Sequence, residues 1–153
     1  MIRRATADDA GMIARAVAMA IGDEQTLRRY CGEEYLSVLQ EIAYAELTQY
    51  SWQSALIAEV DGVIAGAIVG YDGARLEELR ENTFAIIEHR TGTRPSIANE
   101  TEAGEYYLDS VGVLPDFRGM GIGCKLISAL CDEAFRQGHE RVGLIVEPNN
   151  TKA

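Results

Sequence analysis

The chain has 153 residues, enough for one domain with one sizeable core. Its hydrophobic share of 47% and charged share of 25% are ordinary for a globular protein, and no apolar run approaches the ~18 residues of a membrane span. A net charge of −10 lacks the basic footprint that nucleic acid demands, so neither nucleic acid nor membrane is expected as a partner.

Residues 1–5 read as a short strand with no apolar leader, so no signal peptide is expected. Thr6 and Asp9 have the spacing of a capping box, Thr6 capping and Asp9 returning. Met12, Ile13, Ala16, Val17, Ala20 and Ile21 then recur at helical spacing, and Gly22 stands where a helix stop belongs. A second helix is expected over residues 33–50, with Tyr35, Leu36, Leu39, Ile42, Ala43 and Leu47 as its stripe. Tyr30, Tyr35, Tyr44, Tyr50 and Trp52 make this region aromatic, which suits core and rim packing. Residues 55–60 and 63–71 flank Asp61-Gly62, the strongest short hairpin signal. Gly66 and Gly70 inside the second strand suggest a bulge or a close approach.

Asp72 is placed to cap a helix over residues 74–89 whose apolar face is Leu76, Leu79, Thr83, Phe84 and Ile87. Residues 91–104 read as a loop without periodicity. Residues 105–113 are the next strand, and simple alternation puts Glu105, Tyr107, Asp109, Val111 and Val113 on one face unless a bulge intervenes. A helix over residues 120–137 should bury Leu126, Ile127, Leu130, Cys131 and Ala134 and end at Gly138. Cys124 and Cys131, seven apart on that helix, are expected to face the core as small apolar residues. With Cys31 they form an odd, widely spaced set without metal-ligand spacing, which fits a reduced, cytoplasmic setting and no metal. His89 and His139 are isolated, and His139 is expected to be exposed. Residues 141–147 form a further strand, parallel to the preceding one because a helix crosses between them.

The stretch that organises the chain lies between those last strands: Val111-Gly-Val-Leu-Pro115-Asp-Phe-Arg118-Gly119-Met120-Gly121-Ile122-Gly123. Glycine lets main chain come close to a ligand, and a helix that starts there leaves its first amides without partners. Such a start holds anions, and Arg118 adds positive charge. Neither the Walker spacing nor the dinucleotide spacing G-x-G-x-x-G is met.

What fits is [Q/R]-x-x-G-x-[G/A], with Arg118, Gly121 and Gly123 in the fixed places. This resembles the acyl-CoA signature of the GNAT N-acetyltransferase superfamily, and the strand-then-helix opening and the central hairpin resemble it too. The resemblance implies an α/β domain of α+β type, with a mixed, mostly antiparallel sheet, one splayed parallel pair of strands and flanking helices. It implies N-acetyl transfer from acetyl-CoA to a primary amine, on a small molecule or a peptide, by direct attack in a ternary complex. The main chain of Val111, Gly112 and Val113 would pair with pantetheine. The amides from Arg118 through Gly119, Met120, Gly121, Ile122 and Gly123 would hold the pyrophosphate, and Asn150 would bond the pantetheine arm. Several relatives carry a glutamate thirteen residues before the motif, which points to Glu105 as general base; Asp109, on the same face, competes for the role. Relatives continue beyond Asn-x-x-Ala with a helix and two strands, so the chain reads as one domain, 1–153, truncated at its C-terminal end, with residues 72–104 as an insertion beside the acceptor site. A last strand left without a neighbour leaves room for a homodimer. The other reading is a CoA-binding module without catalysis, because the helix that often supplies a general acid is missing.

Overall fold

The computed structural model describes residues 1–96 and 104–144. Five strands form one sheet in the order β1-β2-β3-β4-β5: β1 (Ile2–Arg4), β2 (Ala55–Val60), β3 (Val63–Asp72), β4 (Glu105–Val113) and β5 (Arg141–Leu144). Every neighbouring pair is antiparallel except β4 and β5, which run parallel. Helices α1 (Ala10–Ile21), α2 (Glu24–Cys31), α3 (Tyr35–Tyr44) and α4 (Leu76–Thr91) share a core with Ile57, Ala67 and Val69 on one face of the sheet. Helix α5 (Ile122–Arg136) covers the other face, where Leu126, Leu130 and Ala134 meet Leu56, Ile68 and Leu108. The mixed, mostly antiparallel sheet with one parallel pair and flanking helices is the architecture expected.

Local chemistry explains the entry and exit of each element. The Thr6 N–H donates to the Asp9 carboxylate at 2.8 Å, the return half of the capping box, and opens a 3-10 turn that runs into α1. Two Arg3 nitrogens donate to the same carboxylate at 2.8 and 3.0 Å and hold it well below the usual carboxylate range. The Asp61-Gly62 hairpin has positive φ at both central residues, 52° and 79°, as a two-residue turn matched to strand twist requires. Asp72 accepts from the Ala74 N–H at 2.9 Å and so caps a 3-10 turn that leads into α4. The α4 stripe Leu76, Leu79, Thr83, Phe84 and Ile87 is buried as expected.

Three expectations are corrected. The helix over residues 33–50 is shorter: α3 ends at Tyr44, and Leu47 lies outside it with φ 58°. Leu47 is exposed because the chain turns away before the sequence stripe is complete, and Leu36, though within α3, is exposed as well. On α5, Ile127 and Cys124 are exposed and Cys131 is half-buried, so that neither cysteine belongs to the core. A stripe at i, i+3, i+7 sits on the flank of the helix, and only the Leu126–Leu130–Ala134 stripe points at the sheet. His139 is not open to solvent: its ring stacks against Tyr106 at 5.3 Å between centroids, and Nε2 lies 3.5 Å from Asp72 Oδ2.

Candidate active site

Strand β4 makes the site because its pairing changes halfway along. Opposite β3, Ser110 pairs with Val69 and Leu108 pairs with Gly70, which leaves Asp109 as an extra residue in a bulge. A bulge reverses the parity of everything beyond it. Glu105, Tyr107 and Asp109 do share a face, but Val111 and Val113 lie on the opposite one, packed with the α5 core. The single face expected for all five residues is therefore broken at Asp109. Gly70, flagged in the sequence, stands at this register shift, and a Cβ there would lie 2.7 Å from Leu130 and 2.8 Å from the Tyr107 carbonyl.

Strand β4 also pairs with β5, over Glu105↔Arg141 to Leu108↔Leu144 among the described residues. Glu105 lies within that pairing. It is largely buried, and its Oε1 faces the Arg141 guanidinium at 3.8 Å. Asp109 is the residue that bulges opposite β3. Tyr71 donates to its Oδ2 at 2.7 Å, and Ser110 Oγ donates to its Oδ1 at 3.0 Å. Gln49 Nε2 in turn donates to the Tyr71 oxygen at 3.3 Å, and Gln49 is fastened by its own N–H to Thr83 Oγ1 of α4 at 2.9 Å. The hydroxyls of Tyr30 and Tyr50 meet at 3.0 Å nearby. Burial, then the charge of Asp109, holds the Tyr71 phenol far above its ordinary range, so it remains a neutral donor. Tyr30 and Tyr50 are pushed up in the same way, burial being the main cause. Tyr107 packs with Tyr71, Leu76 and Leu79.

Beyond Val113 the chain turns into α5. Residues Pro115–Phe117 form a 3-10 turn, closed by the Arg118 N–H on the Pro115 carbonyl at 3.3 Å. Gly119 and Gly121 follow with φ of 82° and 75°, and Gly121 is the residue from which α5 departs. A Cβ at either position would meet no atom within 4 Å, so the turn is open beside them. Met120 is exposed, Ile122 is buried as the first residue of α5, and Gly123 lies against Val113 Cγ2, 3.9 Å from where its Cβ would be. The Arg118 guanidinium folds back on β4, donating from Nε to the Val113 carbonyl at 3.2 Å and from Nη2 to Met19 Sδ at 3.5 Å. Gly112 is hemmed in: its Cβ would lie 2.8 Å from Ala16 Cα, so α1 can approach β4 only over a glycine. Asn150 lies outside the described residues.

Sequence reasoning missed Tyr71, Gln49 and Ser110. A tyrosine ending a buried strand is a weak signal for Tyr71, and nothing local marks Gln49, which becomes buried only when α3, β3 and α4 meet. Among the described residues no helix is long and apolar enough to cross a membrane, and no group of three or more His, Cys, Asp or Glu is placed to hold a metal.

Known proteins share this arrangement. Acetyltransferase ECA0875 of Pectobacterium atrosepticum is 33% identical over 96 residues, 62% of this chain and 47% of that protein, so the match spans about half the relative's length. A solved acetyltransferase structure is 32% identical with a TM-score of 0.78, covering 98% of this chain and 82% of the other. An N-acetyltransferase from Staphylococcus aureus Mu50 is 25% identical with a TM-score of 0.75, covering 87% and 75%. The model of the acetyltransferase (GNAT) family matches residues 24–153, and with the glycine turn and the parallel strand pair in place, the chain belongs to that family.

Proposed function

We propose that the protein transfers the acetyl group of acetyl-CoA to a primary amine by direct attack in a ternary complex, with Asp109 as the proton acceptor. The observation that carries this reading is that the open glycine turn follows the same strand, β4, whose bulge presents the Asp109 carboxylate with two donors on it. The amides from Gly119 to Gly123 receive the pyrophosphate, since the Arg118 N–H already closes the preceding turn. The main chain of Val111, Gly112 and Val113 offers the pantetheine arm a strand to pair with. Arg118 supplies positive charge at the corner where β4 leaves the sheet.

The acceptor binds as an ammonium and loses one proton to Asp109. Its nitrogen lone pair forms the new N–C bond, the C–S bond breaks, and the second nitrogen proton balances the departing thiolate. Asp109 suits this role better than Glu105. The two are four residues apart, roughly 13 Å along a strand, so one amine cannot reach both. Glu105 is engaged by Arg141, whereas Asp109 sits at the β4 bulge with two donors orienting it. Helix α4, which begins the stretch read as an insertion, walls the acceptor side through Thr83 and Gln49. The net charge of −10 favours a small cationic amine over a protein chain terminus.

Thiol release from acetyl-CoA with putrescine, glucosamine and a tripeptide with a free N-terminus tests the reading. Asp109→Asn should lower turnover about 100-fold or more while leaving CoA binding by calorimetry near normal, and Glu105→Gln should cost much less. The opposite ranking moves the base to Glu105. CoA binding without thiol release for any amine would mark a binding module instead.

A further inference from the structure

Gln49 is 5% exposed, lies outside any helix or strand, and carries a buried amide whose Nε2 donates to Tyr71 while its Oε1 has no hydrogen-bond partner among the described residues. A buried glutamine with an unmatched carbonyl oxygen is costly to keep. Its amide does one evident thing: it fixes the oxygen of a phenol whose proton points at Asp109. The phenol cannot relax elsewhere, because Tyr71 is 3% exposed and its ring packs with Leu76, Leu79 and Tyr107.

From this chain of contacts we infer that Tyr71 is a positioning residue for acetyl transfer, with Gln49 behind it: together they hold one oxygen of the Asp109 carboxylate in a fixed direction. The inference rests on the reading of Asp109 as proton acceptor. The charge of that carboxylate acts on the phenols of Tyr30 of α2, Tyr50 before β2 and Tyr71 of β3, Arg80 of α4 acts on Tyr30 and Tyr71, and Ser110 stands beside it on β4. Tyr71 and Ser110 donate to it. Tyr71 carries no proton away. Its phenol stays neutral, so its contribution is to favour the ionised carboxylate and to fix its direction.

The test titrates the Asp109 carboxyl carbon by NMR in the full chain carrying 13C-labelled aspartate, beside turnover with acetyl-CoA and putrescine. Tyr71→Phe keeps the ring and removes only the donor. Losing a donor to the charged form favours the protonated form, so the Asp109 midpoint should move to higher pH by about one pH unit. The acid limb of the rate profile should move with it, and kcat should fall about tenfold with the KM for acetyl-CoA unchanged. Gln49→Met, one bond further away, should move both in the same direction by less, and it serves if Tyr71→Phe folds poorly. An Asp109 midpoint unmoved in both variants overturns the inference. A moved midpoint with an unmoved rate profile upholds the contact and instead removes Asp109 from the reaction.

Discussion

At Gly112 an added Cβ would lie 2.8 Å from a backbone atom of α1, while at Gly121 it would meet nothing within 4 Å. The first glycine is demanded by space, since β4 and α1 come together over it. The second is demanded by conformation: φ of 75° is a region that side-chain-bearing residues enter at a cost. Empty space beside a backbone that only glycine adopts readily is what a ligand cradle requires, and lack of space beside ordinary backbone is what a core requires. The two glycines stand nine positions apart in the same motif (121 − 112), yet one answers to packing and the other to backbone conformation.

The largest effect should follow from closing the first gap. Gly112→Ala should cost about 2–3 kcal/mol of stability, because Ala16 is main chain at the point of contact and cannot rotate away. Chemical denaturation reads this directly, and a variant as stable as the parent would show that α1 shifts freely. Next comes Gly121→Asp, which should lower CoA affinity tenfold or more by placing negative charge where the pyrophosphate sits. Its melting temperature should move only slightly, since aspartate tolerates positive φ better than most residues. Unchanged affinity in calorimetry would remove the turn from CoA binding. Gly119→Ala should be the mildest, about 1 kcal/mol of backbone strain with no clash and a small change in CoA affinity. A loss of stability there as large as at Gly112 would erase the distinction between the two kinds of glycine.

Much of the fold was legible from short-range chemistry. Thr6 with Asp9, Asp61 with Gly62, and Asp72 before α4 each act within a few residues, and each was readable for that reason. The α4 stripe was also correct, since Leu76, Leu79, Thr83, Phe84 and Ile87 repeat with the helix period and all face inward. The same logic failed at Leu36, Leu47, Ile127 and Cys131. Periodicity reports which residues share a side, but not how far a neighbour covers that side or where a helix stops. The site was legible to the same degree. The glycine turn and the two acidic candidates were visible, whereas the difference in setting between Glu105 and Asp109 was not.

The order of strands and helices, the glycine turn of the motif and the membership of Glu105 and Asp109 in one strand were written in residues close together along the chain. Which face each side chain takes beyond Asp109, and which carboxylate meets Tyr71, came from strand pairing. One extra residue opposite β3 reverses every later position. That bulge depends on Gly70 and Val69, some forty residues earlier, and no local pattern in β4 records what its partner will demand.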